Sequence, residues 1–182
     1  MMLLYTCSVA LRRHISTTAP SMAHRVFVYG TLKTGQPNYR LMAGLRLIGI
    51  GRTRTKMPLV VATEFGIPML LDHEGGHNVV GEVYEVDDDN LAKVDALENF
   101  PGGYYDRMKI GVQLEDEYAA PAGQDGLTDC WAYVVTNFKP SMLDLERFES
   151  YDSEGAHGKK YVKPSERGEG AVSKVKAAVL KS

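Results

Sequence analysis

Val26-Phe27-Val28-Tyr29-Gly30-Thr31-Leu32-Lys33-Thr34-Gly35-Gln36-Pro37-Asn38-Tyr39 is the stretch on which the fold turns. Four strand-forming residues, Val26 to Tyr29, run straight into Gly30, the pattern of a buried strand that ends in a tight turn. Glycine at position 30 opens backbone torsions closed to other residues and lets a ligand approach the main chain. Thr31 and Leu32 then offer successive backbone N–H groups with no strand partner in view. Such a turn can form a small nest for a carboxylate or phosphate. An ordinary strand-to-loop corner carries the same local signature, so the company it keeps decides.

Outward from this stretch, Pro37-Asn38 reads as a turn into a short helical segment around Tyr39 to Leu45. Gly44, Gly49 and Gly51 break the next part of the chain into short extended pieces. Residues 58–62 and 67–71 read as strands flanking a turn at Glu64 to Gly66. In the strand at Asn78 to Val86, Val79, Gly81, Val83 and Glu85 share one face, and Val80, Glu82, Tyr84 and Val86 the other. Met108 to Leu114 and Asp129 to Thr136 add two more, separated by an exposed loop at Glu115 to Gly126. Five or six short strands with one clear helix indicate an α+β domain built on a small, strongly curved sheet or barrel. From about Glu166 onward the Lys-, Ser- and Gly-containing sequence reads as a flexible tail, with weak helical character at Ala171 to Leu180.

With 182 residues, of which 44% are hydrophobic and 24% charged, the chain can bury one proper core. A net charge of −2 gives no reason to expect nucleic acid or an acidic membrane as partner. No apolar run approaches the ~20 residues that cross a bilayer. Cys7 and Cys130 make no disulfide framework, which points to a reducing compartment, and N-glycosylation sequons are absent. No Asp or Glu precedes Glu64, and residues 1 to about 23 carry Arg12, Arg13 and several Ser and Thr. This leader resembles a mitochondrial transit peptide. A secretory signal is the rival, although the basic residues come after the apolar Met1 to Leu4 instead of before it. Translation from Met22 would instead give a cytoplasmic form.

Asp87-Asp88-Asp89-Asn90 supplies caps and negative charge at a helix start, and Pro101-Gly102-Gly103 supplies a stop. At 100° per residue Glu98 falls between Leu91 and Val94, on the buried face. An ionised carboxylate there is expensive, and the negative end of the helix dipole opposes it further. Both effects raise its pKa toward the range of a general acid or base working near neutrality. The alternative is that Glu98 swings to solvent at a frayed end. Asp95 lies on the same side, a turn deeper, where it can cap or pair locally.

His73-Glu74-Gly75-Gly76-His77 matches H-E-x-x-H letter for letter. Its zinc chemistry requires a helix that brings both histidines to one face. Adjacent glycines cost a helix about 2 kcal/mol relative to alanine. The segment also lies between extended apolar runs, so a hairpin loop is expected. No other His/Cys spacing suggests a metal, Gly49-Ile50-Gly51 is too short for a phosphate loop, and G-x-S-x-G is absent.

Several segments together resemble the γ-glutamylamine cyclotransferases of the wider γ-glutamylcyclotransferase-like superfamily. They are Val26 to Tyr39, Pro58-Leu59-Val60, Gly66-Ile67-Pro68 and Gly81-Glu82-Val83-Tyr84, then Glu98 to Arg107 and Ser150-Tyr151-Asp152-Ser153-Glu154-Gly155 with His157-Gly158. They span about residues 25 to 165, and the last is the most discriminating. The resemblance implies a closed or strongly curved mixed β-barrel with a few flanking helices and a cavity at its mouth. It also implies a cofactor-independent and metal-free activity that cyclises a γ-glutamyl amine, such as γ-glutamyl-ε-lysine, to 5-oxoproline and a free amine. The family's glutamate falls on Glu98, and its substrate-holding turn on Tyr29, Gly30, Thr31 and Leu32. Tyr105 aligns as a third member through its spacing to Arg107. Because 101–105 is one residue longer than the family pattern, Tyr104 competes for that place. Ser153, Glu154 and His157 read either as a lid over the leaving amine or as a plain polar turn. The partner implied is a small γ-glutamyl compound, met by a monomer, with no nucleic acid or membrane. Alternatives are another γ-glutamyl substrate on the same fold, or an inactive ligand-binding module.

Overall fold

The computed structural model describes residues 23–115, 126–155 and 157–181. The expected leader, up to Met22, and the body of the 115–126 loop lie outside the described residues. Strand β1 (His24–Val28) pairs antiparallel with β5 (Val80–Val86), His24 opposite Val86 and Val28 opposite Glu82. On its other edge it meets β7 (Leu127–Val134) in parallel, through Val26 opposite Trp131. With β2 (Arg46–Thr53) and β6 (Asp106–Leu114) these strands close a barrel in the order β1-β5-β2-β6-β7. A second sheet runs β4 (Ile67–Leu70), β3 (Leu59–Ala62), β8 (Arg147–Phe148) and is joined to the end of β7 by a bridge from Leu71 to Val135. Helix α1 (Asp88–Leu97) comes after β5, and α2 (Ala171–Val179) ends the described chain. The expected α+β barrel is the architecture found.

Period-two alternation sorts the core into two bodies. Phe27, Ile48, Val83, Ile110, Val112, Cys130, Ala132 and Val134 come from all five barrel strands and fill its interior. Val26, Val28, Tyr84 and Val86 point the other way, into a second cluster with Leu91 and Val94 of α1 and Val175 and Val179 of α2. β3 and β4 are buried on both faces, which explains why both read as continuous apolar runs.

Three differences from the sequence expectation have physical causes. The glycine-broken stretch after residue 44 is one continuous strand, β2, with a register shift between Leu47 and Gly49. Its glycines serve close packing: a Cβ on Gly51 would lie 2.8 Å from both the Gln113 carbonyl and the Val112 side chain. The helical segment after Pro37 is only a 3₁₀ turn at Tyr39–Leu41. The tail expected to be flexible instead carries α2, whose Ala171, Val175 and Val179 are buried one per turn. Lys139 N–H bonds the Val179 carbonyl at 2.7 Å, and Phe138 bridges Leu180, so the last helix is stitched to the segment after β7.

Gly81 is the tightest point of the barrel wall: a Cβ there would lie 2.5 Å from the Phe27 ring and 2.6 Å from the Val28 carbonyl. Overpacking of this kind costs about 1–3 kcal/mol. Gly81→Val is therefore expected to lower the urea midpoint at unchanged m-value, whereas the exposed Gly44→Ala tests only the left-handed backbone at φ +85°.

Candidate active site

β1 and β7 end, and β6 begins, at the same mouth of the barrel, where they open into a cavity of 460 Å³. Every residue picked from the sequence as catalytic or substrate-binding lines it: Tyr29, Gly30, Thr31, Leu32, Glu98 and Tyr105.

The turn after β1 is shaped by packing more than by torsion. Gly30 does not adopt a left-handed conformation, but a Cβ on it would meet Pro68 Cγ at 2.8 Å. The glycine that needs positive φ in this loop is Gly35, at +78°. Lys33 N–H bonds the Gly30 carbonyl at 3.1 Å, and Asn38 N–H bonds the Thr31 carbonyl at 2.9 Å, closing the loop on itself. Thr34 donates to Glu82 from both its N–H and its hydroxyl, and Tyr84 donates to the same carboxylate at 2.8 Å. Among the described residues, no partner receives the Thr31 or Leu32 N–H. The loop thus carries two neighbouring amide donors without a described partner, on cavity-lining residues whose backbone is held from behind.

The end of α1 brings Glu98 into the same cavity as that turn. Asp87 caps the helix, accepting from Asn90 N–H at 2.8 Å. At the other end Glu98 is the last half-helical residue and Asn99 takes the left-handed conformation, φ +53°. Phe100 N–H bonds the Asp95 carbonyl at 2.9 Å and Asn99 N–H the Ala96 carbonyl at 3.3 Å, a Schellman ending with asparagine in the usual glycine place. The stop is therefore Asn99, two residues earlier than Pro101. One turn back, Asp95 pairs with Arg107 of β6 at 2.7 Å and accepts from Tyr133 of β7 at 2.6 Å, pinning the helix end to the barrel. That local pairing takes Asp95 out of the cavity chemistry.

Solvent reaches Glu98 through the cavity, yet its carboxyl is ringed by protein atoms, and no described residue hydrogen-bonds it. Burial pushes its pKa from an ordinary 4.5 up to about 7, with the positive charge of Arg167 partly opposing the rise. The neighbouring phenols of Tyr29, Tyr104, Tyr105 and Tyr133 are raised too, chiefly by burial, and stay protonated. Tyr29 donates to the Tyr133 carbonyl at 2.6 Å and Tyr105 to the Pro68 carbonyl at 2.7 Å. Both of those hydroxyl protons are committed to the frame. Tyr104, half-buried and 4.7 Å from the Tyr105 ring, lines the cavity as well, so both tyrosines stand in the wall.

The lid read from Ser153, Glu154 and His157 is elsewhere. Ser153 N–H bonds Gln36, His157 stacks on Tyr151 at 5.7 Å, and none of the three lines the cavity. That wall comes instead from Tyr161, Pro164, Arg167 and the start of α2. Arg167 was missed in the sequence because it stands in the stretch read as tail. The His73–His77 segment forms bends and an isolated bridge, not a helix, and no group of metal-holding side chains occurs among the described residues.

The sequence model of a family described as γ-glutamyl cyclotransferase, AIG2-like, matches residues 26–154. The chain belongs to that family. Relatives named γ-glutamylaminecyclotransferase bear out the narrower likeness: the mouse protein is 43% identical over 77% of this chain and 96% of its own length, and the bovine one 43% identical over 75% and 80%. A crystal structure of a mouse AIG2-like protein superposes with a TM-score of 0.70 at 40% identity, covering 78% of this chain and 96% of that one. Tyr161 to Val175 lie beyond the residues that the model of this γ-glutamyl cyclotransferase family matches.

The raised pKa of Glu98 has a thermodynamic sign. Between about 4.5 and about 7 the folded chain keeps a proton that the unfolded chain has released, so this group lowers stability as pH rises through that window. Urea titrations of wild type and Glu98→Gln are expected to diverge across it, wild type becoming relatively less stable, and to run parallel above pH 7.

Proposed function

We propose that this chain cyclises a γ-glutamyl amine to 5-oxoproline and releases the free amine, with Glu98 as the proton carrier. The single observation that supports this reading is that one cavity is lined both by Glu98, whose pKa burial pushes up to about 7, and by Thr31 and Leu32, whose N–H groups have no partner among the described residues.

The amides of the turn grip the α-carboxylate of the glutamyl group and fold its chain so that the α-amine faces its own γ-carbonyl. Fixing that conformer supplies several kcal/mol of the barrier. Glu98 takes a proton from the α-amine as nitrogen attacks the carbonyl carbon and a five-membered ring forms. The tetrahedral centre then collapses: its bond to the leaving nitrogen breaks, and Glu98 returns the same proton to that nitrogen. Atoms balance with no further reactant. One carboxyl serves both steps because its pKa lies near the working pH, where it accepts and gives a proton with similar ease. The leucine and tyrosine walls limit competing attack by water.

Glu98→Gln keeps the shape and hydrogen-bonding size but cannot accept the proton. Release of 5-oxoproline from γ-glutamyl-ε-lysine is expected to fall by about 100-fold or more in this variant, with KM little changed. In wild type kcat/KM is expected to climb with pH through about 7 as Glu98 ionises. Turnover that survives the substitution would remove Glu98 from the chemistry. Parallel assays with γ-glutamyl-alanine and glutathione separate this substrate class from other γ-glutamyl compounds.

A further inference from the structure

Among the described residues, two charged side chains line the cavity, Glu98 and Arg167. Arg167 stands between the 3₁₀ turn Pro164–Glu166 and α2. Its guanidinium lies over the rings of Tyr161 at 5.3 Å and Phe65 at 5.7 Å, and its Nε donates to the Val162 carbonyl at 2.8 Å. The segment that carries it is fastened along the β3–β4 hairpin: Val162 N–H bonds the Phe65 carbonyl at 3.0 Å, and Lys159 Nζ reaches the Val61 carbonyl at 2.8 Å. A Cβ on Gly66 would strike the Lys160 carbonyl at 2.7 Å, so the hairpin turn is cut to let this segment pass. The guanidinium also stands within reach of the Tyr104 phenol and acts on Glu98, at the cavity wall, and its planar fork suits a carboxylate.

The guanidinium is also set apart from the turn. Asn38 Nδ2 bonds both Thr31 Oγ1, at 2.9 Å, and the Tyr161 hydroxyl, at 3.0 Å. The line of contacts runs Thr31, Asn38, Tyr161, Arg167, leaving two side chains between the amide nest and the cation. A cavity with two separated anion-binding features fits a ligand with two separated carboxylates. Whenever Glu98 holds its proton, Arg167 is the one charged side chain among the described residues lining the space, and its attraction for an anion is then uncompensated.

We propose that Arg167 is a specificity residue: it binds the carboxylate that the leaving amine of γ-glutamyl-ε-lysine carries and a simple amine lacks. This rests on the reaction proposed above, but binding tests it without turnover. Nε-glutaryl-lysine keeps both carboxylates and lacks the attacking amine, so it cannot cyclise; its decarboxylated counterpart, N-glutaryl-1,5-diaminopentane, keeps the terminal ammonium and lacks only the second carboxylate. Wild type is expected to bind the first at least tenfold more tightly by calorimetry, Arg167→Gln to bind both alike, and Arg167→Lys to restore part of the preference. Equal binding by wild type, a preference that persists in Arg167→Gln, or an equal loss of both ligands would each overturn the assignment, the last by placing Arg167 on the shared glutaryl end. Wild-type release of 5-oxoproline from γ-glutamyl-ε-lysine, measured alongside, reports on the reaction separately.

Discussion

The structure depends on keeping one carboxyl largely out of water while holding it in the same cavity as the turn after β1. A carboxylate so placed opposes folding, since its charged form loses hydration that nothing nearby fully replaces. The fold tolerates it because the helix that bears it is fixed at three points. Asp87 caps its start, Asp95 ties its last turn to Arg107 and Tyr133, and the left-handed Asn99 ends it one residue past Glu98. A helix end that frayed would let the side chain escape to solvent and its pKa fall back toward 4.5. The Schellman bonds from Phe100 and Asn99 are therefore tied directly to the titration of Glu98.

The rest of the cavity is set by how a small barrel meets a second sheet. Pro68 on β4 presses on Gly30, and its carbonyl takes the Tyr105 proton. The Tyr29 hydroxyl gives its proton to the Tyr133 carbonyl and accepts from Leu70 N–H at 3.4 Å, tying β1 to β7 and β4. These tyrosines act as struts whose polar ends find backbone partners, as buried phenols require. Rigidity favours the anion binding proposed for this turn, because any freedom in residues 30–32 would be lost again on binding.

Much of this is legible in the sequence. The alternation at Val79 to Val86 is the two-faced β5 of the barrel, and the wheel position of Glu98 between Leu91 and Val94 places it on the inward side of α1. What could not be read has particular causes. Gly49 and Gly51 looked like breaks, because a glycine that accommodates a neighbouring strand and one that ends a strand are the same letter. The two-residue β8 is too short to carry a period. α2 lacks a capping side chain, begins after the left-handed Gly170, and spans nine residues, below the length at which a helix holds by itself in water. Its stability comes from Ala171, Val175 and Val179 meeting a surface that exists only once the barrel has formed.

That last point bears on how the site is divided. The turn, the acid and the tyrosine struts all fall within residues 26–154, which the family model matches, whereas the wall bearing Tyr161 and Arg167 lies outside them. Ring closure involves atoms of the glutamyl group alone, so the machinery for it can be common to every member of the fold. The departing amine differs between substrates, and the part of the cavity that meets it gains by being free to change. A segment held against the β3–β4 hairpin by the Val162 N–H bond to Phe65 and the Lys159 side-chain bond to Val61 has that freedom, since it pairs with none of the barrel strands. The cation there stands two side chains from the turn after β1, yet its charge reaches Glu98 and offsets part of what burial does to that carboxyl.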